Sequence, residues 1–371
     1  MKQLAQKEIE DAIKNMSLPG RVASYKYYGN GHINDTYLLK LDTKQGSKKA
    51  ILQRINTEVF TRPDELMENI SGVTSFLRKR ILENGGDPER ETLNIIPAVN
   101  GRLYYENVSG DYFRAYKFIT DAYCFEQVQK PEQFYQSALA FGNFQYLLAD
   151  YPAETLHETI PGFHDTKARF AVFKKAVSDD IMGRAGEVKD EIKFILDRED
   201  IADCFADLLA KKELPLRVSH NDTKLNNIMI DKKTQKGICV IDLDTVMPGL
   251  AVNDFGDSIR FGASTALEDE TDLDKVSCSM ELFELYTRGY LEGCRGKLTP
   301  KEVDLLPMGA RVMTYECGMR FLTDYLVGDT YFKIDREHHN LDRCRTQLKL
   351  VKDMEEKWDT MNEIVGKLSG R

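Results

Sequence analysis

The segment that spans residues 218–244 constrains this chain more than any other. It begins with an apolar strand, passes through a polar run, and returns to an apolar strand that ends on acids. In chain order, its notable polar residues are His220, Asp222, Lys224, Asn227 and Asp242. A tight loop can hold the first four side chains together, and a hairpin can return the fifth to face them. The segment therefore predicts a polar site.

These residue types suit phosphoryl transfer, which has a loose transition state and depends mainly on positioning and charge neutralisation. Such a site needs a carboxylate beside the acceptor hydroxyl, and we assign Asp222 as this base. Magnesium prefers oxygen ligands, which Asn227 and Asp242 supply. Lys224 offers a cation to the transferring group. Asn and Asp also favour turns, so an ordinary surface loop is the alternative, but the order and spacing favour catalysis.

Two lobes are expected, because the 371 residues exceed the roughly 250–300 at which single cores usually divide. Alternating and β-branched patterns between residues 21 and 120 predict a sheet. The predicted strands are Arg21–Tyr28, Thr36–Leu41, Ala50–Ile55, Arg102–Glu106 and Phe113–Ile119. A helix should begin at Pro63. Its expected apolar face consists of Leu66, Ile70, Val73 and Leu77.

Helical periodicity dominates after a hinge near residues 116–122. The helical regions are 131–150, 165–210, 272–293, 300–329 and 340–368. We therefore predict an α+β, bilobal fold, and this order of a strand-rich lobe, a hinge and a helical lobe with the 218–244 hairpin resembles the protein-kinase-like architecture. Residues 1–118 would form a small antiparallel sheet lobe with one inserted helix, and residues 119–371 a larger, mainly helical lobe.

Composition excludes several classes of protein. A formal net charge of -9 argues against nucleic acid as the main partner. The seven cysteines are scattered without a C-x-x-C pair, which predicts free thiols in a reducing cytoplasm. The polar start has no signal-peptide pattern, and no uncharged apolar stretch approaches the ~20 residues of a membrane span. The oligomeric state is open, with a monomer as the working expectation.

The catalytic segment resembles two known groups. The order H-x-D-x-K-x-x-N matches the catalytic loop of protein kinases, and H-x-D-x(4)-N followed by I-D is similar to aminoglycoside and choline phosphotransferases. The resemblance implies ATP as phosphoryl donor and Mg²⁺ as its metal. It implies that Asp222 is the base, that Lys224 contacts phosphate, and that Asn227 and Asp242 bind the metal, with His220 structural.

A second motif, Asp254-Phe255-Gly256, spells the metal motif of protein kinases. It lies too far beyond the catalytic loop, and Asp242 already occupies the expected position at the end of a strand. The surrounding residues 253–259 instead resemble the D-P-x-x-D segment of aminoglycoside phosphotransferases. On that resemblance Asp257 braces the catalytic loop from behind. A buried N-cap of a following helix is the alternative.

A glycine-containing turn marks the expected nucleotide site. Gly29, Gly31 and Asn34 lie between two predicted strands, and glycines let backbone N–H groups approach phosphates. A plain hairpin turn is the alternative. The hinge would bind adenine through its backbone, at Phe118 and Ile119.

Arg54 shares a strand face with Ala50 and Leu52 by period two. Protein kinases place a lysine at a similar position to hold phosphates, and choline-kinase-like enzymes can use arginine. A solvated strand-end arginine is the alternative. Glu68 on the inserted helix is the expected ion-pair partner of Arg54, with Glu65 as runner-up and a solvated acidic face as the other interpretation.

Nearly the whole chain resembles N-acetylhexosamine 1-kinases. The stretches that carry this resemblance are 31–37, 52–56, 66–70, 220–227, 241–248, 318–325 and 328–332. It implies phosphorylation of the anomeric hydroxyl of N-acetylglucosamine or N-acetylgalactosamine, with Arg320 and Tyr331 as sugar contacts.

The residues themselves support a neutral polyol. Arg320, Asp324 and Tyr331 combine hydrogen-bonding groups with an aromatic face, so Asp324 joins Asp222 among the candidate substrate contacts. Arg320 and Asp324 stand four apart on a helix, and a salt bridge between them is the alternative. Two other functions remain open: a kinase of choline, homoserine or an aminoglycoside, and a catalytically silent kinase-like binding protein.

Overall fold

The computed structural model describes residues 4–29 and 33–370. The strands are β1 (Arg21–Tyr27), β2 (Asp35–Thr43), β3 (Gly46–Ile55), β4 (Ile95–Ile96), β5 (Tyr105–Glu106), β6 (Tyr112–Lys117), β7 (Ala122–Tyr123), β8 (Arg217–Ser219), β9 (Ile228–Asp231), β10 (Gly237–Val240) and β11 (Met247–Gly249). The helices are α1 (Gln6–Lys14), α2 (Pro63–Glu83), α3 (Pro131–Leu147), α4 (Thr166–Asp179), α5 (Lys189–Leu196), α6 (Glu199–Ala210), α7 (Ala251–Gly262), α8 (Met280–Cys294), α9 (Pro300–Asp304), α10 (Leu306–Val327), α11 (His339–Glu356) and α12 (Trp358–Ser369). This α+β composition, an antiparallel sheet followed by a larger helical part, confirms the predicted fold class.

The chain divides into two compact units. The first, the sheet unit, consists of Met1–Tyr123, Asp150–Pro161 and Met229–Met247. The second, the helical unit, consists of Cys124–Ala149, Gly162–Ile228 and Pro248–Arg371. The predicted division at 118/119 has one boundary, whereas the chain returns twice to the sheet unit. Part of the reason is long-range pairing: β7 pairs with β9, which no local pattern reveals.

The main sheet has the order β1-β2-β3-β6-β4, with β5 also paired to β6. Every pairing in it is antiparallel. Leu39, Leu52 and Phe113 are fully buried on the face that α1 covers with Ile9 and Ala12. The predicted strand at 102–106 is shorter, and the sixth strand ends at Lys117, so Phe118 and Ile119 lie outside this sheet.

The inserted helix α2 begins at Pro63, where the missing N–H of proline costs no helical hydrogen bond. All four residues of its predicted apolar face are buried. The period of 3.6 residues thus identified both the helix and the side that packs.

In the helical unit, helices α7 and α10 cross at Gly256 and Gly309. A Cβ on Gly256 would lie 2.2 Å from the Gly309 carbonyl oxygen, so only glycine permits this approach. Phe255 beside it lies in a buried ring cluster with Phe283, Tyr286 and Tyr290. Helix α7 is therefore held firmly by its neighbours.

The seven cysteines are all free, as predicted. Four of them, Cys239, Cys278, Cys294 and Cys344, are buried as small core residues. Within residues 4–29 and 33–370, no helix combines the length and apolarity that crossing a bilayer requires.

Candidate active site

The loop between β8 and β9 brings three predicted site residues together. The Lys224 Nζ lies 2.8 Å from Asp222 Oδ1. The Asn227 Nδ2 donates to the Asp222 backbone oxygen at 2.8 Å and to its Oδ2 at 3.1 Å. Asn227 ends a short 3-10 turn that brings it back toward Asp222. These local contacts follow directly from the spacing of the motif.

The surroundings of Asp222 favour its carboxylate form. Burial alone would raise its pKa, but the Lys224 ammonium, His220 and the Asn227 amide lower the pKa below the ordinary range. The Asp222 charge in turn raises the pKa of Lys224. At neutral pH the loop therefore holds a carboxylate and an ammonium side by side.

Helix α7 braces this loop from behind. Asp254 accepts hydrogen bonds from the backbone N–H groups of His220 at 2.9 Å and Asn221 at 2.8 Å. Asp257 accepts one from the Thr223 N–H at 3.1 Å. Asn221 has a left-handed φ of 63°, which the two N–H bonds hold in place. The bracing contact predicted for Asp257 is present, and Asp254 provides two more.

The N-cap alternative for Asp257 is wrong, because α7 begins at Ala251 and Asp257 lies within it. The role of Asp254 was not predicted, because its motif only resembles that of a metal ligand. Acids three residues apart lie on one helical face, and this spacing was the available signal. Each residue of the apparent kinase motif has its own structural role. Asp254 braces the loop, Phe255 packs in a buried ring cluster, and Gly256 permits the helix crossing.

Replacing Asp254 with asparagine should weaken both the fold and the reaction. One oxygen acceptor becomes an N–H₂ donor facing backbone donors, at a cost of about 1–3 kcal/mol in the free energy of unfolding. Displacement of the loop should lower kcat by up to about 10²-fold. Urea denaturation and steady-state kinetics measure both effects, with the exposed Asp190→Asn as control. Equal behaviour of the two variants would contradict the bracing role.

Arg54, in the sheet unit, is buried and pairs with Asp35 and, at 3.3 Å, with Asp111. The predicted ion pair with Glu68 is wrong. Glu68 instead lies 2.8 Å from the His157 Nε2. The runner-up, Glu65, pairs with Arg62 at 2.6 Å. The partners of Arg54 come from β2 and from the turn before β6, which strand pairing places at its side.

The predicted phosphate loop is only partly described. Gly31 lies outside the described residues, whereas Gly29 has a φ of 85°, which glycine adopts without strain. Asn34 is buried and donates from Nδ2 to Asp244 Oδ2 at 2.6 Å, and its Oδ1 accepts from the Asn56 N–H. Asn34 thus anchors the end of the loop to the sheet unit.

A buried ion pair, absent from the sequence prediction, lies at the centre of the sheet unit. Arg114 on β6 donates from Nη2 to Asp244 Oδ2 at 2.8 Å, and the two side chains are only 1% and 5% exposed. Burial would lower the pKa of Arg114, but Asp244 and, more weakly, Asp242 raise it overall. Asp242 follows β10 with a left-handed φ of 59°. The sequence signal that could have revealed the pair is an arginine, Arg114, within an apolar strand.

Phe118 and Ile119 are the hinge residues that were predicted to bind adenine through their backbone. Phe118 N–H donates to the Lys49 oxygen at 3.4 Å, and its ring contacts Tyr28 and the Lys49 ammonium. Ile119 is buried, and among the described residues its N–H has no hydrogen-bond partner. This N–H can donate to a nucleobase.

Asp324, a candidate substrate contact, has a different task in the structure. It is buried, and its carboxylate accepts four hydrogen bonds. The donors are the Thr330, Tyr331 and Phe332 N–H groups and the Asn340 side chain, at 2.8–2.9 Å. Asp324 therefore positions the loop that carries Tyr331. Neither the sugar contact predicted for Asp324 nor its alternative salt bridge to Arg320 is supported by this geometry.

Arg320 is connected to the catalytic loop by a chain of contacts inside the helical unit. Its Nη2 lies 3.5 Å from the Tyr331 Oη, and its Nη1 lies 4.0 Å from Glu316. Glu316 lies 2.8 Å from His164 Nδ1, and His164 Nε2 lies 3.3 Å from the backbone oxygen of Asn221. Asn221 directly precedes Asp222 in the chain. Glu316 and His164 were missed, because no local pattern connects them.

Glu316 is buried, which alone would raise its pKa. His164, Arg320 and Thr166 outweigh burial and lower the pKa of Glu316 to about 2. The carboxylate stays charged at neutral pH and can hold its partners in place.

Comparison with known proteins shows what the chain is similar to. A family model described as a phosphotransferase enzyme family matches residues 24–289. An aminoglycoside phosphotransferase from Alicyclobacillus acidocaldarius is 10% identical, with a TM-score of 0.62 over 99% of this chain and 98% of that one. A spectinomycin phosphotransferase, in complex with ADP and spectinomycin, is 15% identical, with a TM-score of 0.54 over 100% and 99%. A choline kinase from Cryptosporidium parvum is 16% identical, with a TM-score of 0.53 over 93% and 92%. At these identities the three structures share the fold.

Proposed function

The chain belongs to the phosphotransferase enzyme family, whose model spans most of its length, and we propose that it transfers phosphate from ATP to the anomeric hydroxyl of an N-acetylhexosamine. One observation carries the proposal. Asp222, Lys224 and Asn227 lie together, and contacts through His164 and Glu316 lead from this loop to Arg320 and Tyr331 within the same unit.

Asp222 would orient the C1 hydroxyl and accept its proton. The hydroxyl oxygen then bonds to the γ-phosphorus while the bond from that phosphorus to the β–γ bridging oxygen breaks, so ADP leaves. An anomeric hydroxyl is more acidic than other sugar hydroxyls, so a carboxylate of lowered pKa suffices. Lys224 and Arg54 would offset charge that develops on the phosphates.

Asn227 and Asp242 would hold magnesium, because each carries an oxygen atom of the kind that this ion prefers. Asn227 uses its amide nitrogen on Asp222, which leaves its Oδ1 as the ligand atom, and Asp242 supplies a carboxylate. Oxygen donors of this kind suit Mg²⁺. The ion, when bound, would neutralise charge on the β- and γ-phosphates.

The surroundings of Arg320 favour a sugar over a choline-type cation. Quaternary ammonium ligands are usually held by aromatic rings and negative charge. Here the Phe163, Tyr331 and Phe332 rings lie 5.5–5.7 Å from the Arg320 guanidinium carbon, so the protein's own cation occupies the aromatic surroundings. Arginine and an exposed tyrosine ring suit the hydroxyl groups and the apolar face of a neutral sugar.

An acceptor panel tests the proposal. ATP consumption should depend on N-acetylglucosamine or N-acetylgalactosamine and be weak or absent with glucose and choline. Phosphorus NMR should identify the product as the 1-phosphate. Turnover with choline alone would support a kinase of another alcohol. Thermal stabilisation by a sugar without turnover would support a silent binding protein.

A further inference from the structure

Two arginines of the helical unit share one carboxylate. The Arg169 Nε lies 3.9 Å from Glu316 Oε1, and the Arg320 Nη1 lies 4.0 Å from the same oxygen. Two guanidinium charges thus lie near one carboxylate oxygen. Repulsion between the two cations is an energetic cost to the folded protein.

The carboxylate is largely committed elsewhere. Its short hydrogen bonds go to His164 at 2.8 Å and to the Thr166 hydroxyl at 2.6 Å. The Glu316 side chain is 1% exposed, whereas those of Arg169 and Arg320 are 26% and 15% exposed. A molecule that approaches this place therefore meets positive charge, while the negative charge lies behind it.

The guanidinium groups also retain donors for a ligand. Arg169 donates from Nε and Nη2 to the Phe163 oxygen, and among the described residues its Nη1 has no hydrogen-bond partner. Among the residues that the structure describes, the Arg320 side chain makes one hydrogen bond, the long one to Tyr331 Oη. Burial and the charge of Arg320 both lower the pKa of Arg169, in accord with the crowding of two cations.

We propose that Arg169 determines specificity: with Arg320 it forms a guanidinium pair that accepts neutral or anionic sugar substituents and rejects acceptors that carry a protonated amine. This inference rests on the proposed function, because it treats Arg320 as part of the acceptor site. Repulsion acts on any acceptor with an ammonium group near the pair. An acyl oxygen or an acid group would instead accept hydrogen bonds from the remaining N–H groups of the two arginines.

The test compares matched acceptors in three proteins. N-acetylglucosamine is compared with glucosamine, cationic at C2, and with 6-amino-6-deoxy-N-acetylglucosamine, cationic at C6, at a pH where both amines are protonated. Wild type should use both amines poorly. In Arg169→Gln, the kcat/KM of at least one amine, relative to N-acetylglucosamine, should rise by about tenfold, since one like charge is gone. Arg169→Lys keeps the charge and should keep the wild-type ratio.

Arg169→Lys is the control that separates charge from packing. Both substitutions lose the paired hydrogen bonds of Arg169 to the Phe163 oxygen, but only glutamine loses the charge. If glutamine and lysine change the ratio equally, or glutamine leaves it unchanged, the inference is overturned while the sugar kinase assignment stands. If wild type turns over only another alcohol, the proposed function fails. If wild type then prefers cationic alcohols, the inference is overturned as well. If wild type prefers neutral or acidic alcohols and Arg169→Gln loses that preference, the inference stands. The KM for ATP should stay constant throughout.

Discussion

Replacing Asp222 with asparagine should lower kcat by about 10²–10⁴-fold, the usual contribution of a positioned general base. Asparagine keeps the shape of the side chain but cannot accept the hydroxyl proton. It also removes the negative partner of Lys224, which lies 2.8 Å away. ATP affinity, measured by calorimetry, should stay near that of wild type, because the loss concerns the reacting acceptor. Product formation measured against time gives kcat.

The exposed Asp190→Asn, in the same unit, is the matched control and should keep wild-type kcat. Full activity of Asp222→Asn would refute the catalytic assignment. A fall in kcat together with loss of ATP binding and of thermal stability would indicate a misfolded loop. Retained stability with lost turnover is the result that the geometry predicts.

Replacing Arg114 with methionine should lower the free energy of unfolding by about 3–5 kcal/mol, because it leaves the buried Asp244 carboxylate without its cation. Methionine fills much of the volume, so the loss reports charge rather than a cavity. The double variant Arg114→Met/Asp244→Leu should recover a large part of the loss, since it removes both charges. Urea denaturation measures all three proteins.

The ion pair of Arg21 with Asp42 provides the control, since both side chains are exposed in the same unit. Surface pairs contribute little, so Arg21→Met should leave the urea midpoint almost unchanged. A similarly small effect for Arg114→Met would mean that the buried pair does not hold the sheet unit together.

The catalytic loop was predictable because its residues are neighbours in the chain. Asp222, Lys224 and Asn227 lie within one turn, so their spacing alone brings them together. The apolar face of α2 and the sheet strands were predictable for a related reason. Periods of 3.6 and 2 residues are properties of the backbone itself.

Two errors concern the partners of a charged side chain. Arg54 was assigned to Glu68, but strand pairing sets Asp35 opposite it. Asp324 was expected to contact substrate, yet the return of the chain after α10 brings three N–H groups to it. A residue's type indicates what it can bind. It does not indicate which donor or counter-charge the folded chain will place beside it.

By itself, the sequence determined the fold class, the close placement of Asp222, Lys224 and Asn227, and the family to which the chain is similar. Only the tertiary structure decided that Asp254 braces the loop, that Arg114 neutralises Asp244, and that Glu316 joins Arg169 to Arg320. The physical reason is the difference between contacts of neighbouring residues and contacts that only folding creates. Local spacing follows from backbone geometry, whereas a buried charge must find its counter-charge wherever folding brings one close.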